Sequence, residues 1–327
     1  MTRTLNLAIE SWPLARPFAI SRGVKTKADV VVVTISDGTS TGRGECVPYP
    51  RYNETVDGVA ADIQRLSDAI SAGMNRNALQ TALHAGAARN AVDNALWDLE
   101  AKQSGQRAWD IAGTAAPMPR ITAETIGIGT VAEMAASAAR LKTAPLIKIK
   151  LDDQLVLERM QAIHMQAPDA RLIIDPNEGW TLEQLMAFAP RLAELGVEMI
   201  EQPIPAGSDD GLAGYRCPVP LCADESCHTS TDLPGLVGKY HMINIKLDKA
   251  GGLTEALKVA KSAASGGFDI MIGCMVGTSL AMAPAVLLAP FATILDLDGP
   301  LLLRQDRDNG LSFDNGHIYP PSPQLWG

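Results

Sequence analysis

Eight charged residues stand where a buried strand ordinarily ends in another aliphatic. Lys148 and Lys150 close LIKIK, Asp175 closes RLIID, Glu201 closes VEMIE, Asp224 closes VPLCAD, Lys246 closes MINIK, and Asp296 and Asp298 follow ATIL. Taken alone, each acid is as well read as a helix cap or a lysine partner. Asp175, Glu201 and Asp224 on three successive runs, flanked by lysines, are not so easily dismissed, because grouped carboxylates in a partly dry pocket need a cation. Hard oxygen donors without His or thiolate select Mg²⁺, or Mn²⁺, over Zn²⁺.

Lys148 and Lys150 are two apart on a strand and share a face, while Lys246 arrives from the far side of the acids. Burial and neighbouring cations lower an amine's pKa, which predicts Lys150 as a general base supported by Lys148. With Lys246 opposite, a planar intermediate can lose a proton to one face and regain one from the other. The chemistry this suits is removal of the weakly acidic α-proton of a carboxylate, with a cation holding the enediolate.

These residues work together only if the elements carrying them converge. From Lys148 the leading polar residues of successive runs, Cys274 after DIMIG included, are 27, 26, 23, 22, 28 and 22 positions apart, about one βα unit each. Eight short apolar runs from ITAET to ATILD alternate with helix-like stretches such as 153–166, 181–194 and 253–265, which predicts a closed parallel (β/α) barrel with these residues at its C-terminal mouth. An open doubly wound sheet is the rival, but no G-x-G-x-x-G or P-loop pattern opens any helix.

Ahead of the barrel, residues 3–10, 29–36 and 39–46 read as strands of an antiparallel meander, with Asp37-Gly38 as a hairpin turn. Residues 57–104 read as helical, ending in an amphipathic helix with Ala88, Val92, Leu96 and Leu99 on its stripe and Trp97 beside it. The expected division is an α+β capping domain over 1–118 and a barrel over 119–301, with 302–327 packing back against the cap.

A chain of 327 residues with 46% apolar and 20% charged residues supports a large core. Net charge −9 argues against nucleic acid and anionic membrane as partners, leaving a small-molecule substrate. The run Ser279–Leu295 carries Pro284 and Pro290 and is too short to span a bilayer, so it is expected to be a buried helix and strand. Five cysteines without a C-x-x-C pair, and no export signal, point to a reduced, cytoplasmic protein. Assembly into a homo-oligomer is left open.

LIKIK, IIDPN, IEQP, CADES and NIKLDKAGG, in this order, resemble the muconate-lactonising-type branch of the enolase superfamily, in which metal and lysine work together. The resemblance implies an enolase-type (β/α)7β barrel behind a cap, with Asp175, Glu201 and Asp224 as Mg²⁺ ligands. It further implies Lys150 and Lys246 as the acid/base pair and Lys148 beside the substrate carboxylate. Pro176 departs mildly from the small residue usual in the family after the first acid.

Within that branch the D-x-D of LDLDGP, together with WPLARPFAISRG, GECVPYPRY and KLDKAGGLTEAL, is similar to bacterial dipeptide epimerases acting on L-Ala-D/L-Glu in murein peptide metabolism. Asp296 and Asp298 are then expected to bind the substrate's ammonium, the alternative being a purely structural end to the barrel. Arg22, Lys25 and Arg51 are candidates for the glutamate side chain, and Thr125, Cys274 and Met275 for the pocket wall. Rival readings keep the same site for o-succinylbenzoate synthesis, lactonisation or other dipeptides, or retain the barrel as a non-catalytic binding protein.

Overall fold

The computed structural model describes residues 2–327. β1 (Thr4–Ile20), β2 (Gly23–Ser36) and β3 (Thr41–Cys46) pair antiparallel in that order. The turn at Asp37-Gly38 is where the sequence placed it, but the first hairpin is far longer than expected. β1 and β2 run on, through a register shift between Pro13 and Phe18, to a tight turn at Ser21-Arg22. The outer ribbon mixes prolines with polar and basic residues and is largely exposed, so no alternation announces it and cross-strand pairing alone holds it.

The stretch read as continuously helical is four helices, α1 (Val56–Gln64), α2 (Ser67–Ser71), α3 (Arg76–Ala82) and α4 (Ala87–Ser104). Thr55 and Asn75 cap the first and third through their side chains. The amphipathic reading of α4 is corrected. Beyond its apolar stripe, Arg89, Asn90, Asp93, Asn94 and Asp98 are buried too, because the helix is enclosed on opposite sides. On one side β3 comes so close that a Cβ on Gly44 would lie 2.1 Å from Ala91 O. On the other, Arg89 donates to Ala250 O and Gly251 O, Asn90 to Asp248, and Thr254 N to Asp93. A short α5 (Ala108–Ala112) follows.

β4 (Arg120–Ile121) leads into the barrel strands β5 (Glu124–Ile126), β6 (Leu146–Lys150), β7 (Arg171–Asp175), β8 (Val197–Glu201), β9 (Leu221–Ala223), β10 (Met242–Ile245), β11 (Asp269–Ile272) and β12 (Ile294–Leu295). They form one eight-stranded parallel sheet in chain order, and Ala123 N donates to Leu295 O at 2.8 Å to join first strand to last. Helices α6 (Val131–Arg140), α7 (Val156–Gln166), α8 (Leu182–Glu194), α9 (Leu247–Ala250), α10 (Leu253–Ser265) and α11 (Ser279–Val286) cover it. After β8 and β9 the helical cover shrinks to single 3-10 turns. The apolar run beginning at Ser279 is the wholly buried α11 followed by β12, and no helix among the described residues is long and apolar enough to cross a membrane.

The C-terminal segment contributes β13 (Phe313–Asp314) and β14 (His317–Ile318), the latter paired with β4. Its end reaches α4, where Trp326 Nε1 donates to Asn94 O and Gly327 N to Asp98.

Inside the barrel the pleat separates chemistry by depth. Ala123, Leu146, Ile173, Met199, Cys222, Met242, Met271 and Ile294 form an apolar plug. Two residues further along each strand, and so on the same face, come Thr125, Lys148, Asp175, Glu201, Asp224, Asn244, Gly273 and Asp296. Another two steps on are Lys150, Lys246 and Asp298. The plug keeps water from entering below, and every charged strand end faces the mouth.

Candidate active site

Strand order turns this layer into a ring. β6 and β10 are four strands apart in a ring of eight, so Lys148 and Lys150 oppose Lys246. Asp175, Glu201 and Asp224 lie along the arc between them, and Asp296 on the β12 side faces Glu201. Gly273 allows this spacing, since a Cβ there would come within 2.6 Å of Asn244 Oδ1, and Asn244 donates to Glu201 Oε1 at 2.7 Å.

Every acid of the arc is buried and engaged by an ammonium. Lys150 Nζ is 2.5 Å from Asp175, and Lys246 Nζ is 2.7 Å from Asp224. Lys148 reaches Glu201 at 2.6 Å, Asp296 at 2.7 Å and Asp175 at 3.3 Å. Lys249 adds a contact of 2.7 Å to Asp224 Oδ1 and donates to the carbonyls of Cys227 and Asn244. Burial would push both Lys148 and Lys246 down, but the carboxylates around them outweigh it and raise both well above the ordinary lysine value.

The acids divide accordingly. Burial raises Asp175, but Lys150 and Lys148 bring it down to about 2, and Lys246 and Lys249 likewise hold Asp224 well below its usual range. Glu201 goes up to about 7 through burial and the charges of Asp175 and Asp224. Asp298 is also pushed to about 7, by burial and by Asp296, although it accepts from Thr125 N at 2.7 Å. Asp296 Oδ1 is buried with no hydrogen bond.

The cap closes the mouth through the unforeseen end of the β1–β2 hairpin. Arg22 donates to Asn177 O and Tyr49 Oη and pairs with Glu178 and Glu225. Arg51 holds Glu178 through two contacts of 2.7 Å. Lys25 lies 4.6 Å over the Tyr49 ring and, among the described residues, pairs with no carboxylate. Burial, then Arg22, Lys150 and Lys246, lower it to about 8.

Beneath these groups is a cavity of about 60 Å³ walled by Lys150, Lys246, Arg22, Lys25, Cys274 and Met275. Arg51 and Thr125 lie outside it: Arg51 borders a wider cleft beyond Tyr52, and Thr125 a cavity on the β5 side. Sequence reasoning missed Glu225, Lys249, Tyr49 and Tyr52. Glu225 and Lys249 sit within quoted motifs, but nothing distinguishes either from a solvated charge until burial is known.

The three arc acids suit a hard cation by type and by their succession on adjacent strands. Glu201 Oε2 and Asp224 Oδ1 are buried without a hydrogen bond of sound geometry, touching only lysine ammonium groups. Among the described residues no three His, Cys, Asp or Glu side chains are gathered at ligand distance. The expected trio is therefore present but splayed, because each buried carboxylate turns to the nearest ammonium for its counter-charge.

A parallel barrel with opposed lysines, an arc of acids between them and a cap over its mouth defines an acid/base enzyme of the enolase class. Residues 2–113 match the mandelate racemase/muconate lactonizing enzyme N-terminal domain and residues 130–324 the enolase C-terminal domain-like family, and the chain belongs to that family. It is 48% identical to an L-Ala-D/L-Glu epimerase of Escherichia coli K12, over 97% of this chain and 99% of the relative. It is 45% identical to an N-acetyl-D-glutamate racemase of a Pseudoalteromonas species, over 91% and 95%. A crystal structure from Agrobacterium tumefaciens, an enolase family member with homology to dipeptide epimerases and bound sodium and L-Ala-L-Glu, is 51% identical. It superposes with TM-score 0.96 over 99% of this chain and 100% of that one. A dipeptide epimerase from Methylococcus capsulatus, solved with Mg and a dipeptide, is 30% identical with TM-score 0.91 over 100% and 99%.

Proposed function

We propose that this chain is a Mg²⁺-dependent dipeptide epimerase acting on L-Ala-D/L-Glu, inverting the glutamyl α-carbon by a 1,1-proton transfer. The observation that carries the reading is the ring itself: lysines on opposite walls, metal-type acids on one arc, and an acid pair facing that arc. In this reading residues 1–118 form the cap, 119–301 the barrel, and 302–327 return to the cap. Five unpaired cysteines suit a reduced compartment such as the cytoplasm, where dipeptides from murein would be processed.

Asp175, Glu201 and Asp224 would hold the Mg²⁺, which when bound neutralises the negative charge that develops on the substrate carboxylate. Lys148, held between arc and acid pair, lies beside that carboxylate. For one diastereomer Lys150 accepts the α-proton, the C–H pair of electrons moves into the carboxylate, and Lys246 delivers a proton to the other face. For the other diastereomer the two lysines exchange roles. Asp296, with its unused oxygen, and Asp298 take the ammonium of the first residue. Lys25 is the better candidate for the glutamate side chain, because Arg22 and Arg51 already hold Glu178 and Glu225. Cys274 and Met275 wall the pocket.

A second reading has one specific support. An N-acylglutamate offers the same α-carbon without an ammonium, and the Pseudoalteromonas relative is an N-acetyl-D-glutamate racemase. In this chain it would leave Asp296 with Lys148 and Asp298 with the Thr125 N–H as their partners and no ammonium between the two acids, a cost for buried acids that disfavours it and the elimination and lactonising readings alike. Proton NMR in heavy water with Mg²⁺ decides: loss of the glutamyl α-proton of L-Ala-L-Glu with growth of the L-Ala-D-Glu signals supports the dipeptide reading. Exchange of N-acetylglutamate without exchange of the dipeptide would sink it.

A further inference from the structure

A second cavity adjoins the reaction pocket on the β5 side. It has a volume of about 610 Å³, against about 60 Å³ for the space between the lysines. Phe18 of β1 lines both. Asp298 and Thr125, joined by the hydrogen bond from Thr125 N, form part of the wall of the larger one. Apolar area comes from Ile126, Met134, Leu141 and Leu302.

Glu124 also lines this cavity. It is half-buried, and no hydrogen bond or ion pair involves its carboxylate among the described residues. The cations of the wall are Arg16 and Arg140. Both are exposed to solvent, which screens them, and neither is within 4.0 Å of Glu124. Burial raises the Glu124 pKa with no compensating neighbour.

We infer that this cavity is the subsite for the side chain of the dipeptide's first residue, and that Glu124 makes a basic side chain its best occupant. The inference rests on the dipeptide reading, in which Asp298 holds the first residue's ammonium. The side chain of that residue starts on the carbon that bears the ammonium, so a group anchored at Asp298 opens directly into the space Asp298 borders. The second residue enters the small, cation-lined pocket. Tolerance is therefore asymmetric: broad for the first residue and narrow for the second. A lysine or arginine side chain gives Glu124 the counter-charge that the folded chain does not.

The test is solvent exchange of the second residue's α-proton, measured with L-Ala-L-Glu, L-Leu-L-Glu and L-Lys-L-Glu on the Mg²⁺-loaded full chain and on the Glu124→Gln and Ser137→Phe variants. The native enzyme is expected to process L-Lys-L-Glu at least as efficiently as L-Ala-L-Glu. Glu124→Gln should lower kcat/KM for L-Lys-L-Glu alone, by about tenfold and mainly through KM. Ser137→Phe, which fills the cavity from α6, should depress both longer substrates and spare L-Ala-L-Glu. The inference is overturned if the native enzyme exchanges L-Ala-L-Glu and neither longer dipeptide, or if Glu124→Gln lowers all three equally. Failure of all three on the native enzyme overturns the dipeptide reading and this one with it, whereas exchange of L-Ala-L-Glu alone removes only the subsite.

Discussion

Lys148 touches three carboxylates, and Lys150 and Lys246 hold one each at 2.7 Å or less. Each ammonium thus gives a neighbouring buried acid the counter-charge that a bound cation would give it. Replacing either flanking lysine should be severe: Lys150→Ala and Lys246→Ala are each expected to lower net inversion by about 10²–10⁴, the range of a positioned acid or base, with near-native circular dichroism. Inversion persisting at a native rate in either variant would exclude that lysine. Asp298 supplies a test of a different kind. Its carboxyl titrates near 7 because burial and Asp296 disfavour the charge, and it must be ionised to hold an ammonium. Below that pH it is protonated and binding weakens, so kcat/KM for L-Ala-L-Glu should climb toward pH 7 and level above it. Asp298→Asn should erase that limb and cost roughly 1.5–3 kcal/mol, the worth of a hydrogen bond to a charged group. An unchanged profile in the variant would assign the limb elsewhere.

At the scale of elements, the cap helix α4 joins sheet to barrel, and its polar residues are there for that reason. Gly44 of β3 lies against its backbone, so Gly44→Ala must push strand and helix apart. Overpacking of this kind costs about 1–3 kcal/mol, and calorimetry should show Tm lower by several degrees; an unaltered Tm would mean that the contact relaxes freely. Across the opposite face, Asp93 and Asp248 are buried, and burial raises them to about 6 and about 7 despite the hydrogen bonds they accept. Both bind protons more tightly folded than unfolded. Their contribution to stability is therefore full below the ordinary carboxyl pKa, declines as pH rises from about 4 to 7, and is gone above that window. Asp248→Asn should flatten this part of the Tm profile, and a native slope in the variant would show that other groups set it. None of this could be read from the apolar stripe, since periodicity reports the face toward one neighbour and α4 has neighbours on both sides. The outer half of the first hairpin escaped notice for a related reason: with little burial to enforce alternation, its pairing leaves no trace in residue type, although its tip delivers Arg22 and Lys25 to the site.

For the whole molecule, the ring makes metal and stability interdependent. A cation bound to the folded arc stabilises by mass action, about 2.7 kcal/mol at a hundredfold excess over Kd. Removing Mg²⁺ with a chelator should lower Tm and stop α-proton exchange, and returning Mg²⁺ should restore both; a Tm indifferent to Mg²⁺ would argue against an arc that holds it. The eight strands, their order and the polar residue ending each were legible in the chain, because a strand buried on both faces must be an aliphatic run and any charge at its end stands out against it. The acids, the lysines and the D-x-D pair follow from that contrast and from the motifs they form. What the sequence could not supply was direction around the ring. The opposition of Lys150 and Lys246 was expected from their runs, but that Asp296 faces Glu201 and that Asp298 borders a space about ten times larger than the lysine pocket depend on closure of the sheet and placement of the cap. Residue type and spacing record how deep along its strand a side chain lies; which side chains meet across the mouth is settled only when hydrogen bonding between the first and last strands closes the circle.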